Sequence, residues 1–138
     1  MRWHSLQRES AVNDNSVLLV VAVSAILLFV WRLLRVRSVQ QYEPSELEGL
    51  MKKGGNIVLL DVRTDGERME NSIRGSLHIP LHVLRARLHE LEKYRQSIIV
   101  CYCRSGNRST GAALLLRKQG FAAANLRGGW ENWKRVRR

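Results

Sequence analysis

Hydrophobic and polar positions divide the chain into two parts. Val17 to Trp31 reads VLLVVAVSAILLFVW, in which Ser24 is the only polar residue. Extended past Arg32 to Leu34, this segment reaches roughly 27 Å at about 1.5 Å per residue. That nearly matches a hydrocarbon core of about 30 Å. Arg32 can extend its charge to the head groups, and Trp31 suits the interfacial aromatic belt. A signal peptide would also have an apolar core, but here the core runs into Trp31-Arg32-Leu33-Leu34-Arg35 with no small-residue cleavage site. A buried core helix is the other rival for so short a run. The pattern predicts a polar segment over 1–15, an uncleaved transmembrane helix over 16–34 and a linker over 35–41.

From about Ser38 the pattern changes to short alternating elements. Pro44 followed by Ser45-Glu46-Leu47-Glu48 predicts a helix start, and Gly54-Gly55 its end. Asn56 to Leu60 is an apolar run typical of a buried strand, closed by Asp61. Residues 64–72 are polar and read as a loop or a brief helix. Leu77 to Ile79 predicts a short strand stopped by Pro80. Leu81, Leu84, Leu88 and Leu91 recur at helical spacing through about Tyr94. A buried strand follows over 98–102, then a helix over 109–119 with Gly120 as its stop. Ala123 to Leu126 reads as a strand before Gly128-Gly129, and a last helix starts near Trp130. Strands alternating with helices predict an α/β domain over 42–138, with a parallel sheet flanked by helices.

The formal net charge is +11, and the excess lies from Arg32 onward, because Arg2 and Arg8 are balanced by Glu9 and Asp14. Such a surface suits lipid head groups, nucleic acid or a small anionic substrate. The aromatic residues do not alternate with the basic ones as a base-stacking surface requires, so no nucleic-acid partner is expected. Arg32, Arg35 and Arg37 after the apolar run outnumber Arg2 and Arg8 before it. This favours a cytoplasmic C-terminal domain, in a bacterium on the inner membrane. The basic tail of Lys134, Arg135, Arg137 and Arg138 could rest on an anionic membrane surface or be solvated. There are two cysteines, Cys101 and Cys103. They are expected to point to opposite faces, and a disulfide between them would be strained. Unpaired thiols fit a reducing compartment.

The chemistry concentrates in Cys103-Arg104-Ser105-Gly106-Asn107-Arg108-Ser109. The cysteine stands where a buried strand ends and a helix begins. Free backbone N–H groups and the helix dipole there favour negative charge. A thiol so placed ionises readily, and the thiolate is the nucleophile. Cys101, inside the apolar strand, reads as inert core. His78, His82 and His89 lack the spacing of a metal site, and neither metal nor cofactor is expected.

Four segments in order resemble the rhodanese superfamily. They are Asp61-Val62-Arg63, the stretch Ile73-Arg74-Gly75-Ser76-Leu77-His78-Ile79-Pro80, the Cys103–Ser109 loop, and Leu126-Arg127-Gly128-Gly129-Trp130 with Trp133. Asn71, Ser72, Arg74 and Arg127 depart from the family pattern, away from the nucleophile. The resemblance implies a sulfurtransferase. The Cys103 thiolate would take the outer sulfur of a small anionic donor such as thiosulfate, and the persulfide would pass it to a thiol, a protein acceptor or cyanide. The loop N–H groups of Arg104, Ser105, Gly106, Asn107, Arg108 and Ser109 would form a nest around the sulfur. Arg108 would tie the loop together, Arg104 would face the incoming anion, and Ser109 would cap the helix. Asp61 and Arg63 would support the loop. A loop of six residues from Cys103 to Arg108 is one shorter than the cradle of cysteine phosphatases, which favours one sulfur atom over phosphate. The rival from another class is a non-catalytic rhodanese module that binds a partner or senses persulfide at the membrane.

Overall fold

The computed structural model describes residues 14–37 and 39–137. The expectations for the polar segment 1–13, for Ser38 and for Arg138 lie outside the described residues. The chain divides into two compact units between Arg35 and Val36.

Helix α1 (Asp14–Arg37), 24 residues long, makes up the described part of the first unit and ends two residues past that unit's boundary. Its apolar side chains from Val17 to Trp31 are exposed on every face rather than along one stripe. Among the described residues no helix is long and apolar enough to cross a membrane. The uninterrupted apolar run ends at Trp31, which leaves it about 22 Å long at 1.5 Å per residue, short of a hydrocarbon core. The fold therefore does not establish the span expected over 16–34.

The second unit is a three-layer α/β domain. Its elements are β1 (Gln40–Tyr42), α2 (Pro44–Lys52), β2 (Ile57–Asp61), α3 (Asp65–Glu70), β3 (Leu77–His78), α4 (Leu81–Leu84), a 3-10 segment (Leu88–Tyr94), β4 (Ile98–Tyr102), α5 (Asn107–Lys118), β5 (Ala123–Leu126) and α6 (Gly129–Val136). The five strands form one sheet in the order β1-β5-β4-β2-β3, and every pair is parallel. The runs IVLL and IIVCY are apolar throughout because a parallel sheet is covered on both faces. Period-two alternation then assigns each residue to a layer. Ile99 and Cys101 of β4 pack with Leu84, Leu91, Ala112 and Leu116 under α4 and α5. Val100 and Tyr102 pack with Leu47, Leu126 and Trp133 under α2 and α6.

The structure departs from the sequence reading in several places. Cys101 and Cys103 belong to the same side of the sheet, not to opposite faces, because residues two apart in an extended chain share a face. Both are free thiols. The leucine pattern over 81–94 forms not one helix but α4 and a 3-10 segment, although Leu84 and Leu91 are both fully buried. Strand β1 escaped notice because Gln40-Gln41-Tyr42 carries no apolar run. It forms an edge strand registered on β5, with Gln41 opposite Asn125.

The sheet order creates one special position. From β2 the chain moves outward to β3, and from β4 it moves outward the other way to β5. The two neighbours β2 and β4 thus form the switch point, where the loops at their C-terminal ends leave a crevice suited to a ligand. Asp61 and Cys103 stand at those two ends. The core beneath them is tight: Leu60 is fully buried between the switch strands and α4–α5. Leu60→Ala is expected to destabilise the domain by about 2–5 kcal/mol, read as a lowered urea midpoint of tryptophan fluorescence.

Candidate active site

The crevice is built from three chain segments. Cys103 leaves β4, and α5 begins at Asn107, two residues earlier than the pattern predicts. Gly106 at the helix N-cap has φ 102°, a left-handed conformation that L side chains rarely adopt. The N-cap glycine has no side chain to cap α5, and its own N–H donates to the Cys103 sulfur at 3.1 Å. Ser109 lies one turn inside the helix and is a donor, not the cap expected from sequence. Its hydroxyl hydrogen faces three acceptors: the Asn125 Oδ1 at 2.6 Å, the Gly106 carbonyl at 3.1 Å and the Cys103 Sγ at 3.4 Å. Asn125 in turn donates to the Gln41 Oε1 at 2.7 Å.

These contacts decide the ionisation of Cys103. The residue is only 1% exposed. Burial raises a thiol's pKa, but hydrogen bonds from the Ser109 hydroxyl and from the Ser109, Gly106 and Ser105 N–H groups outweigh it and hold the Cys103 thiol below its ordinary value. Cys101, fully buried in the strand without such donors, is pushed far upward and stays a neutral thiol.

The loop is held from below by α6. The N–H of Trp130 donates to the Cys103 carbonyl at 2.8 Å, and the N–H of Glu131 donates to the Arg104 carbonyl at 3.0 Å. This close approach requires Gly129: a Cβ there would collide with the Cys103 carbonyl oxygen and lie 2.8 Å from that of Arg104. Free N–H groups at the start of α6 thus bind the backbone of the Cys103 loop itself.

Asp61 and Arg63 form a buried bidentate pair beside the loop, with Nε to Oδ1 at 3.0 Å and Nη2 to Oδ2 at 2.8 Å. Tyr102 OH adds a donor to Asp61 Oδ2 at 2.9 Å. Burial alone would raise the Asp61 pKa, but bonds from Arg63 and Tyr102 keep the carboxylate below its ordinary value. The guanidinium is also anchored to the Asn71 side chain and carbonyl, at 3.0 and 2.7 Å. Its centre lies 5.5 Å from the ring centroids of both Tyr102 and Trp130.

Arg108 interacts with Cys103 within the loop, but its strongest partner lies outside it. Its guanidinium forms two bonds, 2.8 and 2.7 Å, to the Glu67 carboxylate on α3. Glu67 also completes a capping box with Thr64. The Arg108 bond is the main cause holding the Glu67 carboxyl down at about 2. Arg104 is mostly exposed, at the mouth. The sequence reading missed Glu67, Tyr102 OH, Asn125 and Glu131. Thr64-x-x-Glu67 was legible as a capping box, and Asn125 as the one amide in an apolar strand. Tyr102 and Glu131 carried no local signal.

Comparison with known proteins agrees with this geometry. Residues 43–136 match the family described as Rhodanese-like domain. The chain belongs to the rhodanese family. It is 35% identical over 98 residues to a sulfurtransferase of Allochromatium vinosum, covering 70% of this chain and 90% of that one. It is 34% identical over 92 residues to the thiosulfate sulfurtransferase GlpE of Pseudomonas fluorescens, covering 66% of this chain and 81% of that one. A solved rhodanese-related protein of Thermoplasma volcanium superposes with a TM-score of 0.64 at 29% identity, over 70% of this chain and 92% of that one.

The lowered pKa of Cys103 can be read from the pH dependence of its alkylation by iodoacetamide. The rate should rise through a midpoint below that of a free thiol, because the folded loop favours the thiolate. In Ser109→Ala, which lacks one donor to that thiolate, the midpoint should move to higher pH.

Proposed function

We propose that this rhodanese domain is a sulfurtransferase that carries sulfane sulfur on Cys103. The observation that carries the reading is the set of N–H and O–H donors converging on a buried Sγ at the switch point. With thiosulfate as donor, the Cys103 thiolate attacks the outer sulfur. A new S–S bond forms, the donor's S–S bond breaks, and sulfite leaves with the electron pair. The persulfide keeps one negative charge, now on the outer sulfur, which the nest of Ser105, Gly106 and Ser109 donors can hold. A thiolate, a protein thiol or cyanide then attacks that outer sulfur, and Cys103 departs as the thiolate. No cofactor is required, since the sulfur travels covalently.

Two features support sulfur rather than phosphate as cargo. The loop from Cys103 to Arg108 is six residues long. Both Glu67 oxygens engage the Arg108 guanidinium, which also interacts with Cys103, so it offers no free fork to three phosphate oxygens. Arg104, Asn107 and Arg108 act in this reading through backbone position and surface charge, while Asp61 and Arg63 keep the crevice in shape.

Incubation with thiosulfate should add one sulfur, about 32 Da, to wild-type protein. Cyanide should remove it as thiocyanate. Cys103→Ser should accept none, and sulfur retained by that variant, or none gained by the wild type, overturns the reading.

The same proposal places the domain at a membrane, facing the cytoplasm, with α1 as its anchor. It rests on the exposed apolar side chains of Val17 to Trp31 and on the arginines that follow them. Full-length protein should float with lipid vesicles through carbonate at high pH, and a variant lacking residues 1–35 should not. Equal sedimentation of both removes the anchor from the proposal.

A further inference from the structure

The protein carries a net charge of +11, yet several cations around the crevice are held by carboxylates. Arg63 pairs with Asp61, Arg108 with Glu67, and Arg127 with Glu43 at 3.0 Å. Two clefts flank the loop. One, about 880 Å³, contains Ser105, Arg127 and Gly128 in its wall; the other, about 220 Å³, contains Arg63, Arg104 and Trp130. Glu131 and Lys134 line both, so they form the ridge between them.

Glu131 is shared by two exposed cations. One carboxylate oxygen lies 2.6 Å from the Lys134 Nζ and the other 3.5 Å from the Arg104 Nε. Its position is fixed from the backbone, since its N–H holds the Arg104 carbonyl at 3.0 Å. Lys134, and secondarily Arg104, keep this carboxyl below its ordinary range, so it is ionised at neutral pH. A small dianion entering either cleft beside the loop therefore meets a carboxylate on the ridge and cations already engaged with it.

We propose that Glu131 determines which sulfur donors the site accepts, by offsetting one of the two positive charges of Arg104 and Lys134 beside the loop and so weakening the pull on small dianions relative to neutral or singly charged donors. The bearing on donor choice rests on the sulfur-transfer reading above. The charge effect itself does not, and it can be read on the thiol directly. Like charge on the approach path lowers encounter and binding of an anion, and salt screens the effect within about 10 Å at 0.1 M.

The experiment measures alkylation of Cys103 in full-length protein by iodoacetate, an anion, and by iodoacetamide, its neutral counterpart. Intact mass gives the rates, with Cys103→Ser as the blank. In Glu131→Gln the iodoacetate-to-iodoacetamide ratio should rise about three- to tenfold at low ionic strength and return toward the wild-type ratio near 0.5 M salt. Arg104→Gln should move the ratio the other way. A ratio within twofold of wild type in Glu131→Gln overturns the inference. An equal gain for both reagents also overturns it, since that reports a loosened loop rather than a changed charge. With thiosulfate as donor, Glu131→Gln should lower KM more than it changes kcat. If the wild type takes no sulfur from thiosulfate, the sulfurtransferase reading fails, while the alkylation ratio still decides the role of Glu131.

Discussion

A carboxylate buried at the end of β2 has to be neutralised where it stands, and the way Asp61 is neutralised organises the crevice. Its partner Arg63 is two residues further along the same chain, so the pair locks the turn that leaves β2. The guanidinium lies between Tyr102 of β4 and Trp130 of α6. Tyr102 in turn bonds Asp61, Ser76 and the Ile73 N–H. One ion pair thereby joins the switch strand, the strand that delivers the nucleophile and the helix that holds the nucleophile's carbonyl. Removing one partner from such a pair leaves an uncompensated buried charge, which costs on the order of 3–5 kcal/mol. The same removal would free three walls of the crevice at once.

The second constraint is that Cys103 is buried and yet has its thiol pKa held below the ordinary value, two effects that oppose each other. The loop reconciles them by aiming donors at sulfur from its own backbone and from Ser109. That arrangement requires a left-handed Gly106 on one side and a Gly129 with no Cβ on the other. The contrast with Cys101 is instructive. Two residues away, on the same side of the sheet and equally buried, it lacks the donors and remains a neutral core thiol. Position relative to the strand end, rather than residue type, separates a thiol held below its ordinary pKa from one pushed above it.

Side-chain charge plays a different part from the one that the basic loop suggests. Arg108 braces α3 against α5 through Glu67, and Arg104 and Lys134 share Glu131. The Cys103 thiol is held below its ordinary pKa by the Ser109 hydroxyl and then by fixed N–H dipoles, which need no reorganisation when charge arrives. The arginines shape and tune the mouth.

Much of this domain was legible in sequence, because apolar runs, helical spacing and glycine punctuation report local geometry. The strand ending at Tyr102, the helix after it and the cysteine between them follow from residues within one turn of each other. So does the family resemblance of four ordered segments. The contacts that were not legible join positions far apart: Arg108 to Glu67 over 41 residues, Ser109 to Asn125 over 16 and Asn125 to Gln41 over 84. Such pairings depend on the sheet order β1-β5-β4-β2-β3, which no local period encodes. A sequence can place a thiol at the mouth of a helix, since that needs only neighbours. Only the tertiary structure could turn Ser109 from a helix cap into a donor to sulfur, and Arg108 from a loop clasp into a brace. Both outcomes depend on which distant side chain the fold brings within about 3 Å.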